Sequence, residues 1–200
     1  VERTKNRPVA TGKISTKLAL IYTITLCFFS FLILINFNYL TIILAISSMP
    51  LAFGYPLMKR FTYWPQLFLG ITFNYGLILG WTSIVNQINL IPLLFYFGAI
   101  FWTLGYDTIY GFQDIKDDEI IGIKSTSIKF KNKSNSFLIM CYSIFILSIL
   151  MVGILMKFSI IFFIFMLIPF LHLIFYQIIK LDINNPNNCL KIFKSNNFFG

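Results

Sequence analysis

The chain has 200 residues, of which 58% are hydrophobic and only 12% charged, with a mean hydropathy of +0.79. A soluble domain carries about 25% charged residues, so this composition excludes one and predicts a single helical membrane domain with no length left for a soluble module. The formal net charge of +9 does not point to nucleic acid, because the basic residues are scattered between apolar stretches; basic loops on one side of a membrane explain it.

Residues 1–17, VERTKNRPVATGKISTK, form a polar loop carrying Arg3, Lys5, Arg7, Lys13 and Lys17 around an Asn-Arg-Pro turn. It reads either as a basic flank or as a set of donors for an anion. Position 1 is Val and no signal peptide precedes the first apolar run, so the chain is expected to be part of a longer protein. Six apolar segments follow, at 18–36, 39–58, 66–85, 90–111, 136–156 and 158–179, each near the roughly 20 residues that cross the hydrocarbon layer. The last two nearly touch. Phe137 to Ile179 is 43 residues with one charge, and a single helix of that length would measure about 64 Å, twice the membrane. It must fold back, with Lys157 marking the reversal and Gly153 loosening the turn.

Charge placement gives the same count independently. If the spans alternate, the loops at 1–17, 59–65, 112–135 and 180–200 share one side and hold every Lys and Arg of the 16 except Lys157. The connections at 37–38 and 86–89 hold none. By the positive-inside rule the shared side is cytoplasmic, and all the acids lie on it or at helix ends opening onto it.

Within the spans, Pro50, Gly54 and Pro56 predict a bend in the second, just before Lys59 and Arg60, which read as a topology anchor. Gln66 and Asn74, among Gly70, Gly76 and Gly80, predict close helix packing and interhelical hydrogen bonds in the third. The 24 Phe and 10 Tyr are mostly lipid-facing bulk, although a few ring faces could stabilise a carbocation. His172 is expected to be a packed histidine bonded to a backbone carbonyl rather than a ligand. Cys27, Cys141 and Cys189 form no CxxC and are assigned neither a disulfide nor a zinc site. The tail after Lys180 is polar, then regains apolar residues, so Phe198, Phe199 and Gly200 are expected to open another span.

One stretch organises the rest: Tyr106 to Thr126, YDTIYGFQDIKDDEIIGIKST. Five of the seven carboxylates (Asp107, Asp114, Asp117, Asp118 and Glu119) fall within 13 residues of it. On a continuous α-helix Asp107, Asp114 and Asp118 return to within about 20° of one stripe, which makes Asp114 and Asp118 a focused pair and leaves Asp117 and Glu119 solvated. Two carboxylates one turn apart repel unless a cation sits between them, and hard oxygen ligands suit Mg²⁺ completed by water and a substrate phosphate. Lys124, Ser125 and Thr126 then supply a cation and two hydroxyls for phosphate oxygens. The alternative is an ordinary wet loop between two membrane helices. Asp107 weighs against it, since a carboxylate in an apolar segment costs up to about 3 kcal/mol at the bilayer centre.

These motifs resemble those of the UbiA superfamily of membrane prenyltransferases, in particular its bacterial branch that prenylates 4-hydroxybenzoate for ubiquinone. RTKNRPVATGKIS, YPLMKRFTYWPQLFLG, YDTIYGFQDIKDDEIIGIKSTSIKF and CLKIFKSNNFFG carry the likeness over the full length, and the third, with YDTxY, an Asp pair and GxKST in fixed order, is the most specific. The resemblance implies an all-α, multi-pass transmembrane bundle of nine helices, of which this chain supplies six as one domain truncated at the N-terminus and at the C-terminus. Two helices and a first Asp-rich motif, NDxxDxxxD, are expected upstream of Val1.

It further implies a bacterial inner-membrane location with cytoplasmic active-site loops, Mg²⁺ as cofactor, and polyprenyl diphosphate and 4-hydroxybenzoate as substrates. Asp114 and Asp118 match the second Asp-rich motif and would hold the metal, and Arg60 and Lys124 would bind the diphosphate. Asp107 would orient the phenol or take a proton. The residues expected to bind substrate are thus Arg7, Lys59, Arg60, Tyr106, Lys124, Ser125 and Thr126; Asp107, Asp114, Asp118 and Arg60 are those expected to act in catalysis. Another acceptor, such as haem or dihydroxynaphthoate, a cation transporter whose carboxylates bind the transported ion, and an inactive remnant stay open as alternatives.

Overall fold

Each apolar stretch becomes a helix because, away from water, a crossing segment must satisfy its own backbone. The computed structural model describes residues 6–198, the side chains of Lys116 and Phe198 excepted. Arg3 and Lys5, and the further span expected from Phe199 and Gly200, lie outside the described residues. Among the described residues there are helices and no strands. Six helical stretches are long and apolar enough to cross a membrane, at Thr16–Leu34, Tyr39–Phe61, Pro65–Val85, Leu90–Asp114, Lys131–Leu155 and Ile160–Ile178. All six expected segments are thus present, with ends shifted by a few residues.

The first span is α1 (Thr16–Leu34), capped by Ser15, and it buries none of its side chains. The second is α2 (Tyr39–Gly54), a 3-10 turn at Tyr55–Leu57 and the short α3 (Met58–Phe61). The change of register falls at Pro56, which has no N–H to continue an α-helix. The third span divides at Asn74 into α4 (Pro65–Phe73) and α5 (Tyr75–Val85). The Asn74 amide donates to Gly70 O at 2.8 Å and Thr103 Oγ1 at 2.7 Å, so the break is stitched to the next span, as the sequence predicted.

The fourth span, α6 (Leu90–Gly111), leads through a 3-10 turn at Phe112–Asp114 into α7 (Ile115–Ile121), and the one-turn α8 (Thr126–Lys129) follows. The fifth is α9 (Ser134–Leu155). The sixth is built from α10 (Ile160–Phe165), α11 (Leu167–Leu171) and a seven-residue π-helix at His172–Ile178. A short amphipathic helix, α12 (Pro186–Lys194), and a 3-10 turn at Ser195–Phe198 close the described chain.

The core is the seam between α6 and α9. In lipid, helices associate by close packing of small residues rather than by burial from water, and Gly98 and Gly105 of α6 bring it against Ser148 and the Tyr142 ring of α9. Tyr142, Leu138 and Ile109 are fully buried there, joined by Cys189 and Ile192 of α12. The reversal between the fifth and sixth spans is at Lys157, whose φ of 56° is left-handed, as the charge placement implied. Gly153 has a different role from the one expected. It lies inside α9, and its missing side chain admits the Phe162 ring of α10.

Cys27, Cys141 and Cys189 are all free thiols. Burial, reinforced by Asp182, pushes the Cys189 thiol up to about 11, so it stays protonated at neutral pH.

Candidate active site

At the basic end of the bundle a cavity of about 220 Å³ is lined by Arg7, Tyr55, Lys59, Pro65, Gln66, Asp107, Tyr110 and Asp114. Every wall has a structural cause. Tyr55 is carried in by the 3-10 turn at Pro56, and Lys59 by α3, which that turn redirects. Arg7 comes from the N-terminal loop, where the Thr11 N–H donates to Arg7 O at 2.9 Å. Asp107 and Tyr110 stand on the last turns of α6, and Asp114 at its junction with α7. Two carboxylates and two cations therefore share one small polar space at the end of a membrane span.

The convergence differs from the expected stripe. Asp107 and Asp114 both line the cavity, whereas Asp118, one turn further along α7, is 7% exposed and is not part of its wall. The joint after the 3-10 turn is the reason: Asp114, at φ −102° and ψ 7°, leaves the α conformation, so α7 starts on a new phase and carries Asp118 away from the wall. Glu119 is exposed, as expected, and pairs with Lys131 at 3.2 Å across the loop, a contact of about 0–1 kcal/mol at such exposure.

Among the cations, Lys59 lines the cavity, while its neighbour Arg60 is exposed outside the lining. Lys124 is tied to the same α3 segment. Its N–H donates to Lys59 O at 3.0 Å, its ammonium reaches Phe61 O at 3.4 Å, and that ammonium lies 5.6 Å from the centre of the Tyr63 ring. Tyr106 packs against Trp102 and Phe193, and Tyr110 rather than Tyr106 reaches the cavity.

Ser125 and Thr126 are buried and used within the protein. Ser125 caps α8 by accepting from the Ile128 N–H at 3.2 Å. The Thr126 hydroxyl lies 2.7 Å from that of Thr108, and its N–H donates to Gln66 Oε1 at 3.0 Å. Ser127 donates to Thr108 O at 2.8 Å, so the GIKST turn is locked onto α6 behind the cavity. Gln66, expected to pack helices and bond between them, does link α4 to this turn and is a cavity wall as well. A polar amide directly after Trp64-Pro65, at the start of an apolar span, is the sequence signal that could have marked it.

Gln66→Leu is expected to leave the fully buried Thr126 N–H without its acceptor, a loss of about 1–3 kcal/mol. Thermal unfolding in detergent should register a lower midpoint, and an unchanged midpoint would mean that the turn is anchored by its other bonds.

Among the described residues no three His, Cys, Asp or Glu side chains gather as a metal cluster. Mg²⁺ does not require one, since it is usually bound by one or two carboxylates, waters and substrate phosphates. Asp114, a carboxylate on that polar cavity beside cations that suit phosphate, fits that donor chemistry.

The helical spans, with a charged cavity at their basic end, define a polytopic membrane protein. The chain belongs to the UbiA prenyltransferase family, whose model matches residues 1–199. It is similar to the mitochondrial 4-hydroxybenzoate polyprenyltransferase of Dictyostelium discoideum, with 41% identity over the whole chain and 43% of that protein. It is also similar to that of Bos taurus, with 40% identity over the whole chain and 54% of that protein. The chain therefore spans about half the length of these relatives. An apo structure of a UbiA homolog from Aeropyrum pernix K1 shares the fold, with a TM-score of 0.71 at 17% identity over 98% of this chain and 78% of that one.

Proposed function

We propose that the complete protein transfers a polyprenyl group from polyprenyl diphosphate to 4-hydroxybenzoate, a step of ubiquinone synthesis, and that this chain supplies the grip on the diphosphate. The observation that carries the reading is the cavity in which Asp107 and Asp114 stand with Arg7 and Lys59. The names of the relatives supply the acceptor.

Asp114, with Asp118 one turn on, is assigned to Mg²⁺, and Arg7, Lys59, Arg60 and Lys124 to the phosphate oxygens. When bound, the metal neutralises charge on the diphosphate as a Lewis acid. The basic side chains hold that group at the mouth of the cavity and stabilise the charge it gains as the allylic C–O bond breaks and diphosphate leaves. The ring carbon ortho to the phenol hydroxyl then bonds to the allylic carbon. Asp107 orients the phenol and accepts the ring proton as aromaticity returns. Tyr55 and Tyr110 offer ring faces and hydroxyls on the same wall, next to where the cationic carbon forms. Ser125 and Thr126 act through the turn they hold, which presents Lys124. The site belongs to the cytoplasmic face of a bacterial inner membrane, the side that gathers the basic loops.

The test is to purify the complete protein and supply a prenyl diphosphate, Mg²⁺ and one acceptor at a time. A mass gain of one prenyl group on 4-hydroxybenzoate is expected. Transfer to haem or dihydroxynaphthoate instead would overturn the acceptor, and cation flux without any prenyl transfer would overturn the enzyme reading.

A further inference from the structure

The polar contacts farthest into the sixth span lie outside the charged cavity yet lead back to it. Residues 172 and 177 would point about 140° apart on an α-helix. In the π register of His172–Ile178, bonded i to i+5, they stand about one turn apart and face the same way. Pro169, which cannot donate to the turn before it, precedes this change of winding. Two consecutive residues beyond α12 meet the aligned pair. His172 Nε2 lies 2.9 Å from Ser195 Oγ, and Gln177 Nε2 donates to Asn196 Oδ1 at 2.9 Å.

Gln177 is fully buried and also accepts the Tyr142 hydroxyl of α9 at 2.5 Å. Asn196, 7% exposed, accepts the Trp102 indole N–H of α6 at 3.2 Å and donates to Phe193 O at 2.9 Å. Every polar atom of the Asn196 side chain is thus committed, and its donor goes to the backbone of one aromatic residue. The Phe193 ring packs against Tyr106 at 5.8 Å and Tyr110 at 4.5 Å between centroids. Tyr110 is a wall of the charged cavity.

We propose that Gln177 and Asn196 are positioning residues: the π-turn latches the C-terminal turn so that Phe193 braces Tyr110 in the diphosphate cavity. The latch rests on the function proposed above for the ligand it serves. Without it, α12 still has its apolar face against the core through Cys189 and Ile192, but the Phe193 carbonyl loses its bond to the Asn196 amide, the ring shifts against Tyr110, and the cavity wall becomes variable. A misplacement of this kind weakens ligand contacts even though no residue touching the ligand has changed.

The test uses the complete protein, inorganic pyrophosphate with Mg²⁺ as the probe, and calorimetric dissociation constants, so it does not depend on turnover. Asn196→Ala and Gln177→Leu are each expected to raise the dissociation constant roughly tenfold. Phe193→Leu should do the same, and the Phe193→Leu/Asn196→Ala double variant should bind no worse than either single one, because all act through one contact. In the same samples, maleimide labelling of the native Cys189, now fully buried on α12, should quicken with Asn196→Ala.

A purely structural role would lower the amount of folded protein and leave the dissociation constant of the folded fraction unchanged. That result, or additive effects in the double variant, or unchanged labelling, overturns the latch. Failure of the unsubstituted protein to transfer prenyl groups would sink the proposed reaction alone, since pyrophosphate binding would still judge the latch.

Discussion

Asp114→Ala in the complete protein is expected to lower prenyl transfer by about a hundred- to a thousandfold, the range found when a preorganised electrostatic group is removed from a transition-state site. Asp114 occupies the joint between the 3-10 turn and α7 and is one of two carboxylates on the cavity. Its backbone is fixed by helical elements on both sides, so the side chain is presented without a loop that could re-aim it. Asp114→Asn keeps the shape and removes the charge, and should lose nearly as much while raising the Mg²⁺ concentration needed for half-maximal rate. Asp118→Asn separates the two possible roles of its buried carboxylate. A matching increase in Mg²⁺ requirement makes it a ligand with Asp114, and an unchanged requirement with a lowered melting point gives it a packing role. Near-full activity in both Asp114 and Asp118 variants would remove the metal assignment.

The second large effect is on the fold. Gly105→Val is expected to destabilise the α6–α9 seam by about 1–3 kcal/mol or more, because overpacking a well-filled core forces side chains and backbone to shift. A Cβ at position 105 would stand 2.5 Å from the Tyr142 ring, closer than real contacts allow. Tyr142 cannot swing away, since it is fully buried and its hydroxyl is bonded to Gln177. The strain would also reach the site, as Asp107 follows two residues later on the same helix. Unfolding of the detergent-solubilised protein should show the loss, and Tyr142→Ala in the same chain should restore part of it as a coupled pair. Gly76→Ala provides the contrast. Nothing lies within 4 Å of its added carbon, and alanine is the better helix former by up to about 1 kcal/mol, so stability should hold or rise.

Individual residues show what could be read in advance. Lys157 was legible as a reversal because 43 apolar residues with one charge cannot remain a single crossing, and the left-handed backbone at that residue is where the chain turns. Asn74 was legible as an interhelical donor because an amide inside lipid must find partners, and it finds Thr103 and Gly70. His172 was legible as a packed residue, and its Nε2 lies 2.9 Å from the Ser195 hydroxyl. The π register that aligns it with Gln177 has no signature in hydropathy. Lys59 and Arg60 are chemically alike in sequence, and only the direction in which α3 leaves Pro56 puts the first on the cavity and the second outside it.

Ser125 and Thr126 mark the same boundary. Hydroxyls after a lysine in a polar loop look available to an anion, yet the turn folds inward and uses both to close its own backbone and join α6. By itself the sequence determined the membrane class, the six crossings, the side that gathers charge and the stretch that carries the acids, because length, hydropathy and the cost of burying charge act locally. Only the tertiary structure decided which acids share a cavity, which lysine reaches it, and which polar side chains hold its walls. Those outcomes depend on a three-residue change of helical winding and on contacts between residues up to 94 positions apart, and no local pattern encodes either.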